Sequence, residues 1–189
     1  MKIFSLYKKF KMMHLPEKIW VLAHLRKAKK AWECTQKAQD AVNTLVKENA
    51  LDGDPNGGQL DAFRHAFWMA LLMRNIGYYA AFFLGKAHEK GNRIDYKKFM
   101  LEDGTAPDYM STVMDLRNNN LGLVFGKEFK NISEEELQQK ILDGIAEGKF
   151  WKIKKIDNKE FLDWNGKIIP KEELENKWFN KKCIVKSST

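Results

Sequence analysis

Between Asp61 and Trp68 the chain reads DAFRHAFW, and a helix there sets Asp61 and His65 four residues apart on one face, flanked by Arg64 and Trp68. A carboxylate and an imidazole at that spacing suit two metal ligands, or a general base with the group that orients it. A second polar element, Ala87-His88-Glu89, lies beyond Gly77, with His65 12 residues before that glycine and His88 11 after it. At about 1.5 Å rise per residue the two histidines stand at nearly the same height in an antiparallel helical hairpin. Spacing leaves open whether they face each other. The third element is MDLRNNNLG, Met114 to Gly122, in which Asp115, Asn118, Asn119 and Gly122 form one helical stripe. Each asparagine costs about 0.5–0.7 kcal/mol against alanine in a helix, a cost easier to understand if the amides hold something. Gly122 lets another backbone or a ligand come close. Taken singly, these are a surface hydrogen bond, a helix-end histidine and an irregular helix end. All three within one 60-residue stretch point to a functional polar site.

Two readings from different classes follow. In the first, a metal-assisted hydrolase, His65, His88 and Asp115 are ligands, with Asp61 or Glu89 as fourth ligand or general base. Asn118 and Asn119 orient substrate or ligands, and Arg64 steadies an anionic group. The ion is divalent, zinc or manganese ahead of calcium, and its bound water ionises near pH 7. A metal-free version uses His65 or His88 as the base. The order His, His-acid, Asp is similar to that of phosphohydrolases with a histidine–aspartate dyad, although Glu89 stands where the aspartate would be. The substrate expected on a basic surface is a phosphodiester or a phospholipid head group. In the second reading the same polar residues form a buried network that fixes helix register, and the protein is non-enzymatic. A basic, aromatic N-terminus, with Phe4, Tyr7, Phe10, Trp20 and Trp32 among its lysines, then binds a membrane or a partner protein.

The elements that must position these residues are mostly helical. Pro16 and Glu17 open an amphipathic helix to about Lys47, with Val21, Leu25, Ala28, Trp32, Ala38, Val42 and Leu45 on its apolar face and room for one break. LDGDPNGG, Leu51 to Gly58, is the clearest loop. Its Asp52, Asp54, Asn56 and Gly57 match the opening of a calcium loop, but the twelfth position is Phe63 in place of the closing acid, so a turn feeding a helix is expected. Helices follow from Gln59 to Ile76 and from Tyr78 to Lys90, the latter stopped by Gly91. Another, capped by Thr105, reaches about Gly126. Ser133 and Glu136 form a capping box for a helix ending at Gly148. FWKIKKI and EFLDW flank the turn Asp157-Asn158, Asn165-Gly166 precedes KIIP, and both suggest short strands. The tail from Lys171 is expected helical to Phe179 and frayed after Cys183. The fold class is mainly α: a single-domain helical bundle with a central antiparallel hairpin and a small C-terminal β appendage. Its regions are a basic N-terminal part, 1–50, a helical core carrying the site, 51–150, and short strands with a terminal helix, 151–189.

Composition agrees with a single globular domain. The 189 residues are 44% hydrophobic and 12% aromatic, with only 12 Gly and 4 Pro. Net charge is +8, which favours anionic partners: an anionic substrate, a phospholipid surface or, with no motif in support, nucleic acid. Cys34 and Cys183 are too few for a disulfide scaffold or a multi-cysteine zinc site, and whether they pair is open. Lysines interrupt the N-terminal apolar runs, so no Sec signal is read, which leaves a cytoplasmic protein or export by a specialised secretion system. No stretch reads as transmembrane, since Arg74, Asn75 and Gly77 break the longest apolar run.

The order N-G-x-x-D-A-F-R-H-A-[FY]-W, then A-H-E, then M-D-x-x-N-N-x-x-G resembles an uncharacterised bacterial helical domain family. That family is found near the C-termini of large exported or polymorphic-toxin-like proteins. The matching positions are Asn56, Gly57, Asp61 to Trp68, Ala87 to Glu89, Met114, Asp115, Asn118, Asn119 and Gly122. The resemblance implies a helical core, a bacterial source and a toxin or effector setting with a cognate inhibitor protein. It implies no reaction.

Overall fold

A computed structural model describes residues 10–98 and 106–189. Phe4, Tyr7 and the expected cap Thr105 lie outside the described residues. Beyond residue 14 the helices that the described residues form are, in order, α1 Leu15–Ala23, α2 Leu25–Lys47, α3 Gln59–Ile76, α4 Tyr78–Lys97, α5 Tyr109–Glu128 and α6 Glu134–Ala146. Short strands β1 Trp151–Ile153, β2 Lys155–Ile156, β3 Glu160–Phe161 and β4 Ile184–Lys186 complete the chain.

The centre of the bundle is α3. Leu60, Phe63, Ala66, Phe67, Met69, Ala70, Leu71 and Leu72 are all buried, leaving almost no solvent face. Its tightest partner is α5, which runs parallel to it. A Cβ on Gly122 would lie 2.3 Å from the Ala66 carbonyl oxygen, and one on Gly126 would lie 2.6 Å from that of Ala70. Backbone therefore meets backbone along a seam of small residues. The hairpin of α3 and α4 turns at Gly77, whose φ of 85° suits glycine. Asp108, one turn beyond the expected position, caps α5 by accepting from the Ser111 N–H at 2.9 Å. The Ser133–Glu136 capping box opens α6 as the sequence suggests.

KIIP, expected as a short strand, makes only a single bridge, Ile168 to Leu162, and three further elements differ from the sequence expectation. The N-terminal helix breaks at His24, whose amide donates to Val21 and whose Nδ1 reaches the Trp20 carbonyl oxygen at 3.0 Å. The break turns α1 so that Leu25 is exposed, while α2 buries Ala31, Cys34, Ala38, Val42 and Leu45. Gly91 does not end α4. It lies within the helix, where a Cβ would meet the His14 ring at 2.6 Å, so its role is to admit the start of α1. The tail beyond Lys171 makes one 3₁₀ turn, Lys171–Glu173, in place of a helix. It then returns as β4, antiparallel to β1, so the segment after Cys183 is a paired strand.

The expected turn at Asp157-Asn158 joins β2 to β3 with φ of 51° and 55°, the left-handed pair of a tight hairpin. The cysteines are both buried and do not pair. Burial pushes the Cys34 thiol up to about 11, so it stays protonated and inert. Among the described residues, no helix is long and apolar enough to cross a membrane.

Candidate metal centre

The loop Leu51 to Gly58 sets the start of α3. Asp52 accepts from the Gln59 N–H at 2.8 Å and from the Leu60 N–H at 3.4 Å, standing in for the side chain that Gly58 lacks at the cap position. Asp54 is held by Lys155 at 2.6 Å, and the same ammonium donates to the Asn56 carbonyl at 2.6 Å. A lysine thus supplies the positive charge inside the calcium-like loop. The Gly57 N–H donates to Asp61 Oδ2 at 2.7 Å, which fixes that carboxylate as it enters the helix.

Asp61, His65 and Asp115 come together, all buried. His65 Nε2 lies 3.5 Å from Asp61 Oδ1 and 3.4 Å from Asp115 Oδ1, and the three atoms fit within 4.8 Å of one another. These separations exceed an ordinary charge-assisted hydrogen bond of about 2.7–2.9 Å. They match the edge of a tetrahedron around an ion: bonds of about 2.0–2.2 Å put ligand atoms roughly 3.3–3.6 Å apart. The α3–α5 seam creates this closeness, because Asp115 and Asn119 share a stripe with Gly122.

On the far side of the imidazole, Nδ1 lies 3.1 Å from Asn119 Oδ1. The orientation of that amide is set by its other end, where Asn119 Nδ2 donates to Glu89 Oε1 at 3.1 Å. Asn119 Oδ1 therefore accepts, and Nδ1 carries the proton. Asn92 donates to Glu89 Oε2 at 3.4 Å, and Glu89 Oε1 is also 3.9 Å from His65 Nδ1. Burial pushes the His65 imidazole down to about 4, with Asp61 pulling the other way. A neutral ring protonated at Nδ1 turns the lone pair of Nε2 toward two carboxylates. Burial raises the Asp61 carboxyl, but the Arg64 guanidinium and the Gly57 N–H outweigh it and hold the group below the usual carboxylate range. Arg64 donates to Asp61 Oδ1 through its NH2 group at 2.7 Å and through Nε at 3.2 Å.

The remaining expected residues are placed apart from this group. The rings of His88 and His65 lie at the same height with centroids 6.3 Å apart, but His88 Nδ1 faces Glu17 of α1 at 3.1 Å. Glu89 faces Asn119 and Asn92 and is not one of the three clustered residues. Asn118 exchanges two hydrogen bonds with the Trp151 peptide, donating at 2.9 Å and accepting at 3.0 Å, and so fastens β1 to α5. Asn92 and Lys155 are not singled out in the sequence, and Glu17 is read there only as a helix-start acid. Only Asn92 left a sign there, three residues after Glu89 on the same helix.

One cavity touches His65, a small one of about 30 Å³ touches Asp61, and a groove lies over Glu89 without touching Asp61, His65 or Asp115. His65, Arg64, His88 and Glu17 line a cavity of about 290 Å³ between α1, α2, α3 and α4, whose other walls include Trp20, Trp32, Trp68 and Leu84. Glu89 lines a groove of about 640 Å³ together with Lys86, Lys90, Arg93, Lys97 and Trp178. A family model described as a domain of unknown function, DUF6973, matches residues 18–149. The chain belongs to the DUF6973 family. No curated protein and no solved structure matches it. The DUF6973 stretch holds Asp61, His65, Glu89, Asp115 and Asn119 and stops just before β1.

The buried imidazole makes the metal-free domain acid-sensitive. Unfolded, His65 takes up its proton near pH 6.5, whereas folded it does so only near 4. The unfolded state thus binds more protons between these values. His65's contribution is intact above about pH 6.5 and falls as pH drops, by about 3 kcal/mol in all. The lowered Asp61 carboxyl acts only below this window. Urea midpoints between about pH 7 and pH 4.5 should fall more steeply for the wild type than for His65→Gln. Parallel slopes would show that His65 titrates normally.

Proposed function

We propose that Asp61, His65 and Asp115 hold a divalent cation and that the domain is a metal-assisted hydrolase of an anionic phosphoester. The observation that carries this is the grouping of His65 Nε2 with a carboxylate oxygen of Asp115 at 3.4 Å and one of Asp61 at 3.5 Å, all three residues buried. One imidazole nitrogen and two carboxylate oxygens gathered at these separations make a donor set that a divalent cation can join. One nitrogen and two carboxylates suit zinc or manganese, and the imidazole disfavours calcium, which takes oxygen ligands. The bond from Nδ1 to Asn119, held in turn by Glu89, is the outer-shell pairing that fixes a metal-binding histidine's tautomer.

When bound, a divalent ion supplies a water that ionises near pH 7. The chain's own residues do the rest. Arg64 lines the cavity beside Asp61 and is placed to receive a phosphate oxygen. His88, oriented by Glu17, stands on the same wall and can pass a proton to or from a reacting group. The cations of the groove over Glu89 favour an anionic substrate. The motif order's resemblance to domains of exported, polymorphic-toxin-like proteins supports a bacterial toxin or effector setting, with a cognate inhibitor as partner.

The competing reading is a sealed network that fixes helix register, favoured by the burial of Asp61, Glu89, Asp115 and Asn119. Elemental analysis of the purified protein, before and after refilling with zinc or manganese, separates the two. Near-stoichiometric metal that is removed by a chelator and raises the melting temperature on return is expected. No bound metal after refilling would leave the network reading standing. Screening of phosphodiesters and phospholipids follows a positive result.

A further inference from the structure

The helix α1 is apolar on both sides. Trp20 is buried against α4, where its indole donates to the Ala80 carbonyl at 2.9 Å, and Glu17 faces His88. The opposite face presents Leu15, Ile19 and Leu22, which are 66%, 59% and 62% exposed, and Leu25, just past the break at His24, is 68% exposed. Positions 15, 19 and 22 form one stripe of a helix. Between Lys11 and Lys30 the chain carries six cations and one acid, and that acid, Glu17, is the one turned inward. The outward side of this segment is therefore aliphatic and cationic, with no carboxylate.

We infer that α1 and the start of α2 dock on a membrane surface bearing anionic phospholipid, with the leucine and isoleucine row in the acyl boundary and the cations among the head groups. Charge complementarity selects this occupant. A bilayer offers an apolar layer rimmed by negative charge along its whole extent, which matches a narrow aliphatic row bordered by Lys18, Arg26 and Lys29. A helix lying in the interface needs no spanning length, in keeping with the short α1. Because α1 also walls the cavity that reaches His65, docking would set that cavity at the lipid surface. The inference stands independently of the metal reading, since it uses none of the ligand residues.

The test is sedimentation of the full chain with phosphatidylcholine vesicles, with and without phosphatidylglycerol, in the presence of chelator. Binding only to the anionic vesicles, weakened by salt, is expected. The double variant Ile19→Glu/Leu22→Glu should bind roughly tenfold or more weakly, with an unchanged circular dichroism spectrum because both side chains are exposed. Arg26→Glu/Lys30→Glu should lose the anionic preference. Failure of the wild type to sediment with either vesicle would overturn the proposal, as would equal binding by Ile19→Glu/Leu22→Glu. A wild-type dimer in solution that Ile19→Glu dissociates would assign the face to a second copy and overturn it too.

Discussion

Asp115→Asn is expected to bind the divalent ion at least about 100-fold more weakly while leaving the metal-free protein as stable as the wild type, or more so. Both halves follow from the lone pair of His65 Nε2. With an ion bound, Asp115 Oδ1 supplies a charged ligand that a neutral amide replaces poorly. Without one, the amide keeps the shape of the carboxylate and can donate to Nε2 3.4 Å away, so the contact with His65 is retained. The network reading predicts the opposite: breaking a buried, paired carboxylate costs about 3–5 kcal/mol. Titration calorimetry with zinc or manganese, paired with urea unfolding of both proteins in chelator, measures the two effects separately. A variant that binds metal normally, or one that is strongly destabilised when metal-free, would remove the site.

How far this centre was legible in the sequence depends on which kind of contact is asked for. Helical spacing was enough to put Asp61 beside His65, and Asp115 in line with Asn119 and Gly122, because those relations lie within one helix. The height match of His65 and His88 across Gly77 also followed from rise per residue, and the rings are 6.3 Å apart. Periodicity gives a face and no partner, however. That α5 runs parallel along α3, or that Glu17 faces His88 from 71 residues away, is decided by packing. The same limit explains α1. A continuous stripe through Val21, Leu25, Ala28 and Trp32 is sound helix logic, and the break at His24 divides it. The cost of Asn118 is met by the Trp151 peptide, a contact with a segment that offered no motif.

The largest effect on stability is expected from Gly122→Ala. In an exposed helix the change would gain about 1 kcal/mol of helix propensity. Here the added carbon would sit 2.3 Å from the Ala66 carbonyl oxygen and 2.9 Å from its Cα, and neither can swing away. The helices must part by about 1 Å, and overpacking of this kind costs about 3 kcal/mol or more. The net loss of about 2 kcal/mol or more should lower the melting temperature by roughly 4–8 °C in a chain of this size. The same displacement carries Asp115 away from His65, so metal affinity should fall with stability. Gly85→Ala is the control. Its Cβ would press on the flexible end of Met69, at 3.1 Å, which can yield, with Asn119 Nδ2 in ordinary contact at 3.7 Å, and the propensity gain remains. Calorimetric melting of both variants decides the matter: equal melting temperatures would show that the seam is not rigid.

The attachment of α1 has a consequence for how the domain opens. The core of α3 and α5 is locked backbone against backbone, and its amides should exchange with solvent only when the whole domain unfolds. By contrast α1 fully buries one side chain, Trp20, packs Val21 partly against the core, and is tied by His14 to Asp95 at 2.9 Å, the Trp20 indole to Ala80 and Glu17 to His88. Its amides should exchange by a local excursion that leaves the rest protected. The chain should thus contain a small, independently opening unit at the wall of its cavity, whose excursion would widen the way to His65 without unfolding the core.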